Sequence, residues 1–78
     1  MMSAVQVVSQ AAHALRRSSH PPLRRLTVEG SEGALVISGR VPSYYLKQLA
    51  QETIMPVRGN YRLINQVNVV GTVEFVNV

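Results

Sequence analysis

The chain contains no cysteine and no aspartate, and only 15% of its 78 residues are charged. Without cysteine, neither a disulfide nor a thiolate metal site can stabilise it. A domain of this size buries only roughly 60% of the surface of its unfolded chain, so its stability depends on a compact core or on association with other domains or chains. The low charge, against roughly 25% in an average domain, suits a module that docks onto a partner.

Long hydrophobic runs are also missing. No part of the sequence approaches the roughly 20 consecutive apolar residues of a membrane span. The segment from Met1 to Leu15 lacks a basic start and is too polar for a signal peptide. We therefore expect the chain as given to be cytoplasmic, or to be associated with the cell envelope if it is part of a longer exported protein.

Side chains for catalysis are scarce. His13 and His20 have no aspartate to orient them, and the four acidic residues are scattered glutamates. This stock does not suggest a nucleophile with its base and orienting group. Two isolated histidines without cysteine or clustered carboxylates also make a poor metal site. The sequence therefore predicts a protein that is not an enzyme and that holds no metal or cofactor.

The first helix is predicted over residues 3–18, where apolar residues recur with a helical period. Ser3 and Gln6 have the spacing of a capping box, which satisfies free N–H groups at a helix start. Pro21 and Pro22 cannot continue a helix, so we expect it to end before them. The predicted buried stripe consists of Val5, Val8, Ala12 and Leu15.

The second helix is predicted from Ser43 to about Val57. Ser43 is a good N-cap, and Gly59 is placed to leave the helix with positive φ. Pro56 is awkward in a helix interior, so we expect the last turn to be distorted or already ended. The predicted inward stripe consists of Leu46, Leu49, Ala50, Thr53, Ile54 and Val57.

Three alternating segments predict strands at Arg24–Glu29, Ala34–Val41 and Leu63–Val70, with the first two joined as a hairpin through Gly30–Gly33. The order predicts an α+β fold, αββαβ, with two helices packed on one face of a three-stranded mixed sheet. We assign residues 1–71 to a single domain and 72–78 to a β-like C-terminal extension or tail. The uncovered face would carry Arg25, Thr27, Val36, Ser38, Arg40, Ile64, Gln66 and Asn68.

Two motifs of the sequence occur together at a specific spacing. The first is a glycine, an apolar run and Ser-Gly ahead of a helix, here Gly33–Val41 followed by Ser43. The second is Val57-Arg58-Gly59 followed by the alternating Leu63–Val69. Together they resemble the BON family, the bacterial osmotically inducible and nodulation domain. The resemblance covers about residues 5–70, and Pro56 and Asn60 depart from its pattern. The positions that carry the motifs structurally are Gly33, Ser38, Gly39, Ser43, Gly59 and Asn65.

The resemblance implies an αββαβ fold and a non-catalytic role in bacteria, in osmotic-stress or other envelope-associated proteins. That role is attachment to phospholipid membranes, or protein–protein contact. The residues independently offer a basic surface, because the net charge is +4 and seven of the eight cations are arginine. Arginine binds phosphate bidentately. The candidate contacts for an anionic lipid or another partner are Arg16, Arg17, Arg24, Arg25, Arg40, Tyr44 and Tyr45.

Several alternatives remain at this point. The arginines could form a solvated, self-repelling cluster, and the two tyrosines could cover the rim of a small core. The module could serve in structure or protein–protein interaction, including homo-oligomerisation through the C-terminal strand from Thr72. Nucleic acid could use the same positive charges, but the predicted sheet lacks the stacking aromatic residues typical of RNA-binding sheets.

Overall fold

A mixed three-stranded sheet with helices on one face forms the fold. The computed structural model describes residues 3–70. Strand β2 lies in the centre of the sheet, antiparallel to β1 and parallel to β3. The predicted α+β architecture is therefore confirmed, whereas the predicted extension at residues 72–78 lies outside the described residues. The elements are α1 Ala4–Arg16, α2 Pro21–Arg24, β1 Thr27–Ser31, β2 Ala34–Val41, α3 Tyr44–Ile54, a 3₁₀ turn Met55–Val57 and β3 Arg62–Val69.

Helix α1 begins with the predicted capping box. The Ser3 hydroxyl accepts from the Gln6 backbone N–H at 3.2 Å, and the Ser3 N–H donates to the Gln6 side chain at 3.0 Å. The predicted buried stripe was right at Leu15, which is buried, and at Val8, which packs against the core, but it was wrong at Val5, which is 77% exposed. The helix is rotated so that its buried residues are Val7, Ala11 and Leu15, which meet the sheet and α3.

Helix α2 is absent from the sequence prediction, in which the two prolines only end α1. Proline fits the first helical positions, where its missing N–H has no partner in any case and its φ is already helical. Leu23, fully buried, holds this short turn against the core. Strand β1 consequently begins at Thr27 and not at Arg24. Arg25 is the C-cap of α2, so its predicted place on the open sheet face was wrong.

The hairpin between β1 and β2 is confirmed, with a tighter turn than expected. Ser31 already pairs with Ala34, so only Glu32 and Gly33 form the turn. Both have positive φ, 33° and 79°. A two-residue turn with positive φ at both residues matches the right-handed twist of the two strands that it joins. Glycine adopts this conformation without steric cost.

The connection from β2 to α3 is as predicted. Val41 is buried at 1% exposure, and the Ser43 hydroxyl accepts from the Leu46 N–H at 3.2 Å. Helix α3 ends at Ile54, and Pro56 lies in the 3₁₀ turn, as its position predicted. Gly59 then has φ 62°, the predicted positive value.

The hydrophobic core lies between the sheet and the helices. Among residues 3–70 no polar or charged residue is buried. Asn65 fastens β3 to α3, because its side-chain amide donates to the Lys47 carbonyl of α3 at 3.0 Å. Its side-chain oxygen accepts from the Val67 N–H within β3 at 3.1 Å. The core residues are Val7, Ala11, Leu15, Leu23, Leu26, Leu35, Ile37, Val41, Ala50, Ile54 and Val67.

Candidate functional site

The chain direction of the elements brings all seven candidate contact residues to one end of the molecule. Strand β2 ends there at Val41, and α3 begins beside it. Because β1 is antiparallel to β2, with Thr27 opposite Ser38, the segment that precedes β1 also lies at this end. Helix α2, within that segment, contacts α1, α3 and β2. We call this the basic end, defined by Arg16, Arg17, Arg24, Arg25, Arg40, Tyr44 and Tyr45.

The five arginines of the basic end stand at element termini and are all exposed. Arg16 ends α1 and Arg17 is its C-cap, while Arg24 and Arg25 hold the same two positions on α2. Cations at a helix C-terminus are stabilised by the helix dipole, so Arg16 and Arg17 also stabilise α1. Arg40 is the next-to-last residue of β2. Helix ends and the strand end thus present guanidinium groups to solvent from three separate elements.

The tyrosines of the basic end project into solvent. The Ser43 cap makes Tyr44 and Tyr45 the first two residues of α3, ahead of the half-buried Leu46. Tyr44 is 73% exposed and Tyr45 is 65% exposed, and the tyrosine that packs against the core is Tyr61. The alternative in which Tyr44 and Tyr45 cover the rim of the core is therefore not what the structure shows.

His20 joins the loop after α1 to the start of α3. Its ring makes an edge-to-face contact with Tyr45, at 6.3 Å between ring centroids and an interplanar angle of 66°. Its backbone N–H donates to the Ser18 hydroxyl at 3.0 Å. Sequence reasoning missed this contact. The two residues are far apart in the chain, and no local pattern links them.

A shallow groove follows the seam between α1 and α3 and opens at the basic end. It consists of two adjoining clefts of about 390 Å³ and 410 Å³, which share Ala14 and Arg17. Leu49 and Val57 give it an apolar floor. Arg17 and His20 line the first cleft. The groove thus places positive charge and hydrogen-bond donors beside a half-buried apolar strip.

Charge is divided between the two ends of the molecule. Five of the eight cationic residues, the arginines of the basic end, lie at one end. The described glutamates lie toward the other end: Glu29 and Glu32 in or beside the hairpin, and Glu52 in the last turn of α3. Arg58 and Arg62 share that hairpin end. Within residues 3–70, the basic end therefore contains positive charge with no carboxylate of its own.

The chemistry available at the basic end is electrostatic and hydrogen-bonding. Over the described part of the chain, no group of three or more His, Cys, Asp or Glu side chains is placed to hold a metal ion. Also within that part, no helix has the length and apolarity needed to cross a bilayer. Guanidinium groups, phenol rings and an imidazole are suited to bind anionic oxygen at a surface.

Comparison of the chain with protein-family models finds no matching family, and comparison with curated proteins finds no similar sequence. The function is therefore inferred from the geometry and charge of the basic end and from the motifs of the sequence.

Proposed function

We propose that this chain is a non-catalytic binding module that attaches to an anionic phospholipid surface through its basic end. One observation carries the proposal. The five exposed arginines at the C-terminal ends of α1, α2 and β2 lie at one end of the molecule, while the described glutamates lie toward the other. A molecule with this charge distribution is oriented by an anionic surface, with the basic end facing the lipid.

The magnitude of the electrostatic attraction is sufficient for reversible attachment. Each basic side chain near an anionic bilayer contributes about 1 kcal/mol, so five contribute at most about 5 kcal/mol before screening. Surface charges are screened over about 8 Å at physiological ionic strength, so only side chains close to the head groups take part. The arginines at the ends of α1, α2 and β2 are in that position in the proposed orientation, and Arg58 and Arg62 are not.

Tyr44 and Tyr45 supply the apolar part of the contact. Tyrosine is enriched at membrane–water interfaces, where the ring lies among the head groups and the hydroxyl stays hydrated. Exposure of 73% and 65% leaves both rings free for such insertion. The edge-to-face contact with His20 restricts Tyr45, which lowers the entropy that it would lose on binding.

The motif resemblance supports the same class of function. The Gly33–Val41 and Leu63–Val69 motifs resemble those of the BON family, for which phospholipid attachment in envelope-associated bacterial proteins is the implied role. Membership of that family is part of the proposal. The motif residues themselves act on the fold, since Gly33 forms the hairpin turn, Ser43 caps α3 and Asn65 fastens β3 to α3.

Nucleic acid would be drawn to the same arginines. Sheet proteins that bind RNA stack bases on aromatic residues of the exposed sheet face. Over the described residues of the strands, that face carries no aromatic side chain: Val36 and Ile64 lie at its centre, and its charged residues are Glu29, Arg40 and Arg62. This difference favours the phospholipid surface over single-stranded RNA.

Vesicle co-sedimentation tests the proposal. We expect the protein to pellet with vesicles of phosphatidylcholine that contain about 30% phosphatidylglycerol, and to remain in the supernatant with phosphatidylcholine alone. Raising the salt from about 50 mM to 500 mM should release it, because the contact is screened. Equal pelleting with both vesicle types, or none with anionic vesicles at low salt, would overturn the proposal. Retention of DNA or RNA on a filter without vesicle binding would favour the nucleic-acid alternative.

A further inference from the structure

The sheet face opposite the helices is a second surface, distinct in composition from the basic end. Its rows follow from the strand register. Thr27, Ser38 and Gln66 form one row, and the Thr27 and Ser38 hydroxyls lie 3.0 Å apart, which shows that they share this face. The next row, toward the hairpin, is Glu29, Val36 and Ile64. Val36 and Ile64 are neighbours at the centre of the face, and both are only partly buried. We call this the open face.

Charges of opposite sign flank the aliphatic centre of the open face. Glu29 lies on β1, one edge of the sheet, and Arg62 lies on β3, the other edge. Both side chains are exposed. The register places Arg62 beside Ala34, one row from the row of Glu29. The hairpin half of the open face thus has an acidic edge, an aliphatic centre and a basic edge.

We propose that the open face binds the open face of a second copy of this chain. A two-fold axis parallel to the strands lays β1 of one copy over β3 of the other and β2 over β2. Glu29 of one copy then lies above the row of Ile64 in the other, about 7 Å along the strand from Arg62, within the span of the two long side chains. The same rotation forms the reciprocal pair, so the charges at both edges are matched, and Val36 meets its own copy at the centre. Arg40, which lies on the same face of β2, also meets its own copy, and this like-charge contact weakens the dimer.

The pattern of the open face favours a second copy over the other occupants considered. A phospholipid surface would be repelled by Glu29, and it has a better partner in the basic end. An unrelated protein would need a basic group opposite Glu29 and an acidic group opposite Arg62. A second copy supplies both by symmetry, because its β3 lies over β1 and its β1 lies over β3. The two proposals use largely different residues, because four of the five arginines of the basic end lie off the open face and only Arg40 belongs to both surfaces.

The area of the open face sets the strength of the association. Three strands spaced about 4.8 Å apart and about 25 Å long present on the order of 350 Å² per copy. A stable interface of standard size buries about 800 Å² per partner. The dimer is therefore weak and concentration-dependent, and its two charge pairs strongly affect whether it forms.

Charge-reversal variants followed by sedimentation equilibrium test the inference. The full chain is measured from about 10 μM to 1 mM, where we expect a monomer–dimer equilibrium. Glu29→Arg and Arg62→Glu each turn both symmetry-related pairs of the dimer into pairs of like charge. Each variant should therefore weaken dimerisation at least about tenfold. The double variant restores opposite charges with the positions exchanged, so it should return to within about threefold of the wild-type dissociation constant.

The same experiment contains the outcomes that would overturn the inference. A wild-type monomer at 1 mM, single variants that dimerise normally, or a double variant that stays monomeric would each contradict it. Deletion of residues 72–78 should leave the dimer intact, and its loss would instead assign dimerisation to the C-terminal segment. Circular dichroism of each variant checks that it is folded, and vesicle binding of the single variants, expected to be retained, separates this inference from the proposed function.

Discussion

Gly39 and Leu26 lie so close together that a Cβ atom on Gly39 would be 2.6 Å from the Leu26 Cδ2 atom. Gly39 also has φ 132°, a conformation that side chains other than glycine rarely adopt. The absence of a side chain at this point of β2 lets the Leu26 side chain pack against the β2 backbone and join the core, where Leu26 is 8% exposed. The Ser-Gly motif thus fixes the direction in which the chain leaves α2 and enters β1.

Substitution of Gly39 should be severely destabilising. Gly39→Ala combines a strained φ, of order 1–3 kcal/mol, with the overlap on Leu26, so we expect a loss of about 3 kcal/mol, and Gly39→Val should not fold. Chemical denaturation followed by circular dichroism measures this. Pairing Gly39→Ala with Leu26→Ala should recover the steric part only, so the combined loss should be smaller than the sum of the two separate losses. Full stability of Gly39→Val would contradict this account of the motif.

The rotation of α1 predicts a contrast between two valines of the same helix. Val7 is 1% exposed and Val5 is 77% exposed. Val7→Ala removes two buried methyl groups and should cost about 2 kcal/mol, whereas Val5→Ala should change the free energy of unfolding by less than about 0.5 kcal/mol. Thermal or urea unfolding of the two variants side by side is the measurement. A larger loss for Val5→Ala would support the stripe first predicted from the sequence.

Asn65 and Asn68 provide a matched pair on β3. Asn65 points to α3 and donates to the Lys47 carbonyl, whereas Asn68 is exposed on the open face. Aspartate has nearly the same shape as asparagine but, when ionised, has no proton to donate. Asn65→Asp therefore opposes a carboxylate to a carbonyl and should cost about 2 kcal/mol at neutral pH. Asn68→Asp should have almost no effect on unfolding, and equal effects at both positions would contradict the role given to Asn65.

The sequence predicted the sheet well because its signals were local. Alternation defined β2 from Ala34 to Val41, and Ser43 and Gly59 marked where α3 begins and where the chain leaves it. The phase of α1 failed for a physical reason. At 100° per residue, the stripes through Val5 and through Val7 both include Leu15 and differ by only about 80° in direction. Only the packing of α1 against the sheet chooses between them.

The candidate site could be predicted in composition but not in arrangement. The arginines before and after the Pro-Pro pair were evident, but their approach to Arg40 and Tyr44 depends on the direction of β1 and β2 in the sheet. Helix α2 has a signal in the sequence, since Pro21 and Pro22 are suited to the first turn of a helix. A prediction that omits this helix assigns Arg25 to a strand, where the structure has the C-cap of α2. The His20–Tyr45 contact had no signal in the sequence.

Tyr44 should contribute to vesicle binding without contributing to stability. Because its side chain is 73% exposed, Tyr44→Ala should leave the unfolding midpoint unchanged. Loss of the ring from the head-group region should weaken binding to anionic vesicles at least about threefold. Met55, 43% exposed beside the end of α3, is the control, and Met55→Ala should bind like the wild type. Unchanged binding of Tyr44→Ala would remove the tyrosine from the proposed contact.

The most direct test of the proposed function compares two variants that have the same net charge. Arg25→Gln removes one positive charge from the basic end, and Asn60→Asp adds one negative charge near the hairpin end, the length of β2 away, about 26 Å. At about 0.1 M salt the screening length of about 10 Å separates the two sites. Co-sedimentation with anionic vesicles should show binding weakened about fivefold for Arg25→Gln and by less than twofold for Asn60→Asp. Equal weakening by both variants, or none by Arg25→Gln, would contradict attachment through the basic end.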